Sequence, residues 1–499
     1  MPKEKGHLQF QKWAEEYGPI YSLILGTQVM IVLSSDQAVK DLLDKRSGIY
    51  SSRPDIYLGH DVISSGYRML LLKYGETWRT VRGIVHNSLN IRASRVYVPY
   101  QDLENKAMLL AMLDRPARFF DHVRRYTTSI STQLIYGFRT ADEHDPKFHQ
   151  LIHNIERWSE LTGSQSAALL NVYPILRRLP DLFLPMRRYA KQLRQKEYDL
   201  FVGHYLTAKT KLKKGTAKPC IASDVVRAQD QLHFNDHLAG YICGSLLEAG
   251  ADTSASILIG FIQALLIFPE VGKLAQEEVD QVCGDRIPDL NDVPDLPYIR
   301  GCIKESMRWM PTVILGIPHA VTRDDEYMGY RIPKGAAVMY NVWTIHNNPV
   351  RHPDPRRFDP GRWAHDSQTS EAAAINKEPS KRDHFIFGAG RRLCQGMHIA
   401  DRNLFLGVSR LVWAFDFKRP IDEATGREIV PDMVDLTHGL LVCPKPFEAD
   451  IKPRSEARAQ AVRDEWEKMT ELLDEASQWK RVPEGLVWKD YEPNEIETS

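Results

Sequence analysis

Apolar residues along this chain recur mostly three and four apart, the spacing of one helix face, and seldom alternate as strand residues do. Leu8, Phe10, Trp13 and Tyr17 predict a short amphipathic helix over residues 8–17, stopped by Gly18-Pro19. Apolar runs at 20–25 and 29–33 flank Gly26-Thr27 and predict a hairpin, after which Ser35 or Asp36 caps a helix to about Lys45. Residues 101–206 read as largely helical with polar faces. Within them, 172–187 is apolar but holds Pro174, Pro180 and Pro185, which forbid one continuous helix. Such a segment is core, a lid over a channel or a patch that touches membrane. Residues 236–267 predict one long, mostly apolar and therefore central helix. Further helices are expected at 270–283, closed by Gly284, and at 297–309, ended by Pro311. Residues 330–332 and 337–340, about Pro333-Lys334-Gly335, read as a second hairpin. Leu404, Val408, Leu411, Val412 and Phe415 place a helix directly after Cys394, and short strand-like pieces follow over 416–452.

Composition narrows the class without naming it. A chain of 499 residues can bury a large core, and no Gly/Ser linker or internal repeat divides it. The formal net charge is zero, so nothing in it points to nucleic acid. Six scattered cysteines lack metal-ligand spacing and suit a reducing compartment. The start is polar, and the longest apolar run, 257–268, is too short to span a bilayer, so no transmembrane helix is expected. The expected division is a single catalytic unit over 1–453 and a charged helical extension over 454–499, ending in a tail with Trp and Tyr. That extension reads equally as a capping helix, a partner contact or a loose end.

Four stretches hold candidate chemistry. Phe387-Gly388-Ala389-Gly390-Arg391-Arg392-Leu393-Cys394-Gln395-Gly396 sets one cysteine among glycines and arginines just before a helix N-terminus, a position that favours negative charge and lowers a thiol pKa. A lone cysteine is commonly just a small buried hydrophobe. Here the glycines let backbone amides approach a sulfur or a large ligand, and Arg392 could face an anionic group on it, which suits haem. Trp78 and Arg82 share a helix face, either as a carboxylate clamp or as an ordinary half-buried Trp with a solvated Arg. In the middle of the long helix stand Glu248-Ala249-Gly250-Ala251-Asp252-Thr253. A mid-helix Gly costs about 1 kcal/mol and a buried acid costs more unless paired, so the patch is either a site or a polar face turned to solvent. Glu305 and Arg308, three apart on one helix face, can pair, as many weak surface pairs do.

These stretches together resemble the haem-thiolate monooxygenases of the cytochrome P-450 superfamily, over roughly residues 8–453. Phe-x-x-Gly-x-Arg-x-Cys-x-Gly-x-x-x-Ala is met at Phe387, Gly390, Arg392, Cys394, Gly396 and Ala400, and resembles the family's haem-binding loop. Trp-Arg-x-x-Arg at 78–82 is similar to its haem-propionate contact, Ala-Gly-x-Asp-Thr at 249–253 to its oxygen-activation segment, and Glu-x-x-Arg at 305–308 to its buried structural pair. The approach to the clamp departs from the family, since Lys73 precedes Tyr74-Gly75 where relatives often carry a small residue or proline.

The resemblance implies a mainly α fold, a helical prism with a small β-rich subdomain. It makes Cys394 the iron ligand of haem b and Asp252 with Thr253 the proton-delivery pair. Trp78, Arg82, Gly250, His319, Phe387, Gly390, Arg392 and Gly396 become cofactor-binding residues, and Arg357 the third member of the Glu305–Arg308 network. It implies electrons from a reductase, an NADPH-dependent flavoprotein, and a channel-covering loop at 172–187 that touches membrane. The hydrophobic anchor common in eukaryotic members is not seen ahead of Tyr17-Gly18-Pro19, so a soluble or truncated form on the cytoplasmic side, at the endoplasmic-reticulum surface, is expected. The Tyr-Gly-Pro-Ile-Tyr-Ser opening at 17–22 and Arg-Ser-Glu-x-Arg at 454–458 look most like fungal secondary-metabolism members, so an apolar natural product that is hydroxylated or oxidatively coupled is the implied substrate. A haem-thiolate isomerase, dehydratase or peroxygenase, or a non-catalytic haem sensor, are the alternatives. An isomerase-type enzyme would not need Asp252-Thr253.

Overall fold

The computed structural model describes residues 5–483. Its axis is the 32-residue helix Asp236–Ile267. Asn235 starts it by accepting a hydrogen bond from the Leu238 amide at 2.8 Å, with Asp236 in the positive first turn. Pro269 ends it, having no amide to extend the ladder and disfavouring helix at Phe268 before it. Apolar side chains all round leave it no solvent face, so other helices enclose it: Phe119–Tyr136, Pro185–Lys213 and Met397–Ala414. It is long and apolar enough to cross a membrane, and 78% of its most apolar window is buried inside the protein. Trp309, Trp343 and Trp413 are among the largest fully buried side chains of the surrounding core.

The N-terminal elements follow the sequence pattern. Helix Gly6–Tyr17 leads to strands Ile20–Leu25 and Gln28–Leu33, paired antiparallel. Ser35 caps the next helix through the Ala38 amide, and the chain then winds in π form over Lys40–Lys45. The second expected hairpin does not form. Tyr330–Ile332 pairs with Asp325–Tyr327, whereas Ala337–Tyr340 leaves to join the first sheet. That sheet runs Ile20–Leu25, Gln28–Leu33, Ala337–Tyr340, His319–Ala320, with its central pair parallel. All four residues of Ala337–Tyr340 are buried, and a strand hidden on both faces belongs inside a sheet, not at the edge of a two-stranded ribbon. A third pair, Phe415–Lys418 with Asp450–Pro453, closes the main body.

Residues 454–483 pack onto that body. Ser455 caps helix Glu456–Thr470, and Arg454 and Arg458 both bond the Asp280 carboxylate, at 2.6 and 2.7 Å. Farther on, the Trp479 indole donates to Gln133 Oε1 at 2.6 Å, and the Arg139 amide donates to Gln478 Oε1 at 2.7 Å. Arg139 and Arg125 meanwhile share the buried Glu104 carboxylate. The tail with its Trp and Tyr lies outside the described residues.

Candidate functional site

The cysteine loop is fastened before it reaches the sulfur. The Arg382 guanidinium donates to the carbonyls of His384, at 3.1 Å, and Gly388, while the Phe385 amide donates to His346 Nε2 at 2.8 Å. The Cys394 amide returns to the Phe387 carbonyl at 2.8 Å, which closes the turn. Gly390 sits at φ +59°, its amide on Asp44 Oδ1 at 2.6 Å, and a Cβ there would collide with the Leu43 carbonyl. Gly390 therefore does not line the cavity: it lets the loop lie on the π turn, a positioning role instead of the cofactor contact expected. Gly396 then opens helix Met397–Ala414.

Cys394 faces a cavity of about 340 Å³, within the range of small-molecule sites. The surface it exposes is cavity wall, deep inside the protein. Burial pushes the thiol pKa up, outweighing the Gly396 amide and Arg82, which pull it down. The lowered thiol expected from the helix start is thus reversed in the protein alone. A bound metal cation would restore the thiolate. Among the described residues no three His, Cys, Asp or Glu side chains gather as a metal cage, so a metal seated on Cys394 must bring its other ligands with it.

The cavity wall also holds three arginines, Arg53, Arg82 and Arg392. Arg392 donates to the carbonyls of Ser51, at 2.8 Å, and Leu72, at 2.6 Å, and lies over the Trp78 ring at 4.4 Å. Arg82 donates to the Leu393 carbonyl, and Arg53 to those of Leu70, Ile317 and Pro318. Among the described residues no carboxylate pairs with any of the three. Burial, with each other's charge, pulls Arg392 down to about 8, and burial pulls Arg53 to about 10. Buried cations without counter-charge are costly. This wall is built for a ligand with acidic groups, which haem b, with an iron and two carboxylates, satisfies. His319 also lines the cavity, but its Nδ1 donates to the Tyr50 carbonyl at 2.6 Å. Burial and the nearby Arg53 push its pKa well below the ordinary range, so it is a neutral imidazole and brings no charge of its own. The third cation is Arg53. Its only sequence signal is the Arg-Pro pair after Ser51-Ser52, too common to read alone.

Across the cavity runs the long helix. Gly250 and Thr253 line it, and Asp252 does not. Gly250 lets the helix cross Phe119–Tyr136 closely, since a Cβ would strike Ser131 Oγ. The Thr253 hydroxyl donates to the Ala249 carbonyl at 2.8 Å. Asp252 turns toward Arg124, 3.8 Å away, where burial raises its pKa more than Arg124 lowers it. Alcohol and acid thus stand on different sides of one helix.

Glu305 and Arg308 form a fully buried two-point pair, at 2.7 and 2.8 Å. The third arginine is not Arg357, whose side chain is 58% exposed and, among the described residues, pairs with Glu270 alone, at 3.8 Å. The next turn, Pro360–Trp363, folds back onto the Pro297–Trp309 helix instead and delivers three groups to Glu305. These are Arg362 Nε at 3.4 Å, the Trp363 indole at 3.0 Å and the Asp359 amide at 3.0 Å. Arg356 turns inward and stacks on Trp309 and Trp343, while Arg357 points out. Adjacent residues in a turn project differently, and a run of two arginines cannot say which faces in.

A family model described as Cytochrome P450 matches residues 1–448. The cytochrome P450 monooxygenase virE of Hypocrea virens is 59% identical, over 99% of this chain and 90% of its own length. The corresponding figures are 54%, 99% and 91% for fogE of Aspergillus ruber, and 48%, 98% and 91% for fsoB of Humicola fuscoatra. Two zebra fish cytochrome P450 structures, one with abiraterone and one with progesterone, share the fold at TM-scores of 0.69 and 0.73, with 24% and 22% identity. They cover 90% and 91% of this chain and all of their own. Taken with a deep cavity that joins one accessible thiol to unpaired arginines, these matches show that the chain belongs to the cytochrome P450 family and is a haem-dependent monooxygenase supplied with electrons by a reductase.

Proposed function

We propose that this enzyme hydroxylates or oxidatively couples an apolar natural product, with an NADPH-dependent flavoprotein as electron source. In this reading Cys394 ligates the iron, and Trp78, Arg82, Arg392 and Arg53 hold the acidic edge of the haem. Thr253 and Asp252 supply protons. The observation that carries it is the single cavity shared by the thiol, the unpaired arginines and the mid-helix alcohol, with mostly apolar walls beyond them. Bound there, haem would supply oxygen activation with two electrons and two protons: in hydroxylation one oxygen atom enters the substrate and the other leaves as water, and in coupling two substrate hydrogens are removed and both oxygen atoms leave as water. The protein's part is to hold the substrate and move those protons. Asp252, with its raised pKa beside Arg124, can hold a proton on the far side of the helix. The Thr253 hydroxyl, on the cavity side, can hold a water there once it rotates off the Ala249 carbonyl, and Asp252 must swing toward the cavity to give that water its proton.

The test is stoichiometry with NADPH, reductase and an apolar ligand that shifts the spin state. Thr253→Ala is expected to keep consuming NADPH while product per NADPH falls at least about tenfold and peroxide rises. Unchanged coupling would remove Thr253 from proton delivery.

We also propose that the 172–187 segment touches a membrane, at the endoplasmic-reticulum face that the family resemblance implies. It folds as two short 3₁₀ turns, Pro174–Arg178 and Asp181–Phe183, with Leu182 74% and Phe183 66% exposed beside exposed Arg178 and Arg188. Inserting these two side chains gains about 1.5–3 kcal/mol each, and anionic headgroups suit the arginines. L182D/F183D is expected to lower co-sedimentation with phosphatidylserine-containing vesicles by at least about tenfold. Equal binding by both proteins would count against this contact.

A further inference from the structure

A second buried charge cluster stands on the cavity's apolar side, away from the thiol loop in sequence. Arg68, 1% exposed, donates to carboxylates on two different helices: Glu197 on Pro185–Lys213 and Glu248 on Asp236–Ile267. Its Nε donates to Ser64 Oγ at 3.0 Å, and that hydroxyl donates to Glu197 Oε1 at 2.8 Å. The guanidinium carbon lies over the Trp158 ring, 4.0 Å from its centroid, and Trp158 is itself pinned by its indole donating to the Gly59 carbonyl at 3.0 Å. Four segments of the chain thus fix one arginine.

The two carboxylates differ in one respect. Glu197 has both oxygens engaged and does not reach the cavity. Glu248 lines the cavity, uses Oε2 on Arg68, and meets no protein donor at Oε1 among the described residues. Ser245, three residues back on the same helix face, lines the cavity too. Around them the wall is Met69, Leu70, Trp158 and Leu246. Burial raises the Glu197 carboxyl pKa. Arg68 already supplies the cation that faces Glu248, so an uncharged donor suits the remaining oxygen better than a second cation.

We propose that Glu248 anchors the substrate, its free carboxylate oxygen accepting a hydrogen bond from a hydroxyl, alcohol or phenol, on an otherwise apolar molecule. Glu248 is a positioning residue for the reaction. It lies five residues before Thr253, about 7.5 Å along the helix axis, which sets how far from that hydroxyl the oxidised carbon is presented. The inference rests on the cavity being the substrate chamber.

The test is optical titration of the haem-loaded enzyme with two matched pairs, 1-decanol against its methyl ether and 4-heptylphenol against 4-heptylanisole. The wild type is expected to bind the hydroxyl member of each pair about tenfold more tightly or better, as for a buried hydrogen bond to a charged group. In Glu248→Gln the amide oxygen stays on Arg68 and the NH₂ faces the cavity, so the preference should vanish or reverse toward the ether. Glu197→Gln, which leaves the cavity wall intact, should keep it. No preference in the wild type, its survival in Glu248→Gln, or its equal loss in Glu197→Gln each overturns the proposal. Failure of the chamber reading is separable: then no apolar ligand shifts the spin state, even though the reduced carbon monoxide complex keeps its thiolate band.

Discussion

Cys394→Ser is expected to lose the far-red Soret band of the reduced carbon monoxide complex, and monooxygenase turnover with it, while the chain still folds. The substitution changes one atom that faces a cavity and touches little else, so packing should not notice it. The ligand chemistry changes completely. Burial already disfavours the negative sulfur, and the Gly396 amide and Arg82 oppose that without outweighing it. A thiol in this balance ionises once a metal cation sits on it, whereas a serine hydroxyl, far less acidic, does not follow. The other five cysteines are buried and offer no substitute. A serine protein that kept the thiolate band, or a wild type with an imidazole-type band, would mean that another residue holds the iron.

The second large effect lies away from the chemistry. Glu305→Ala is expected to leave almost no folded, haem-loaded protein, because it strands fully buried Arg308, takes the counter-charge from Arg362 and removes the acceptor of the Trp363 indole and the Asp359 amide. Breaking a buried ion pair from one side costs about 3–5 kcal/mol, a large share of the 5–15 kcal/mol that holds a typical domain folded. Arg357→Ala, by contrast, removes only an exposed guanidinium 3.8 Å from an exposed carboxylate and should change stability by no more than about 0.5 kcal/mol. Haem content after expression and the urea midpoint read both. If Arg357→Ala fell as far as Glu305→Ala, Arg362 and Trp363 would not be the groups that complete the buried network.

The contrast between these arginines shows what spacing can reveal. Positions tied to one regular element were legible: Trp78 with Arg82, Glu305 with Arg308, and Gly250 with Thr253 each share a helix whose period is in the sequence. Positions whose meaning depends on a turn or a distant partner were not. Arg362 reaches Glu305 because the Pro360–Trp363 turn lies on a helix more than fifty residues earlier in the chain. Arg53 faces the cavity because three carbonyls from two separate segments hold it there. Gly390 looked like a ligand contact but is a packing contact, since the carbonyl it admits belongs to Leu43.

The order of helices, the long central one with its caps, the first hairpin and the cysteine that faces the cavity were already legible in the amino-acid sequence, because each follows from local periodicity or from a dense motif. Tertiary structure decided which strand Ala337–Tyr340 joins, which arginine completes the buried network and which side of the helix Asp252 takes. It also decided the direction of the Cys394 shift and the meeting of Arg68 with two carboxylates. Those outcomes turn on burial and on long-range pairing, and neither desolvation nor contact between distant segments is written in the spacing of residues along a chain.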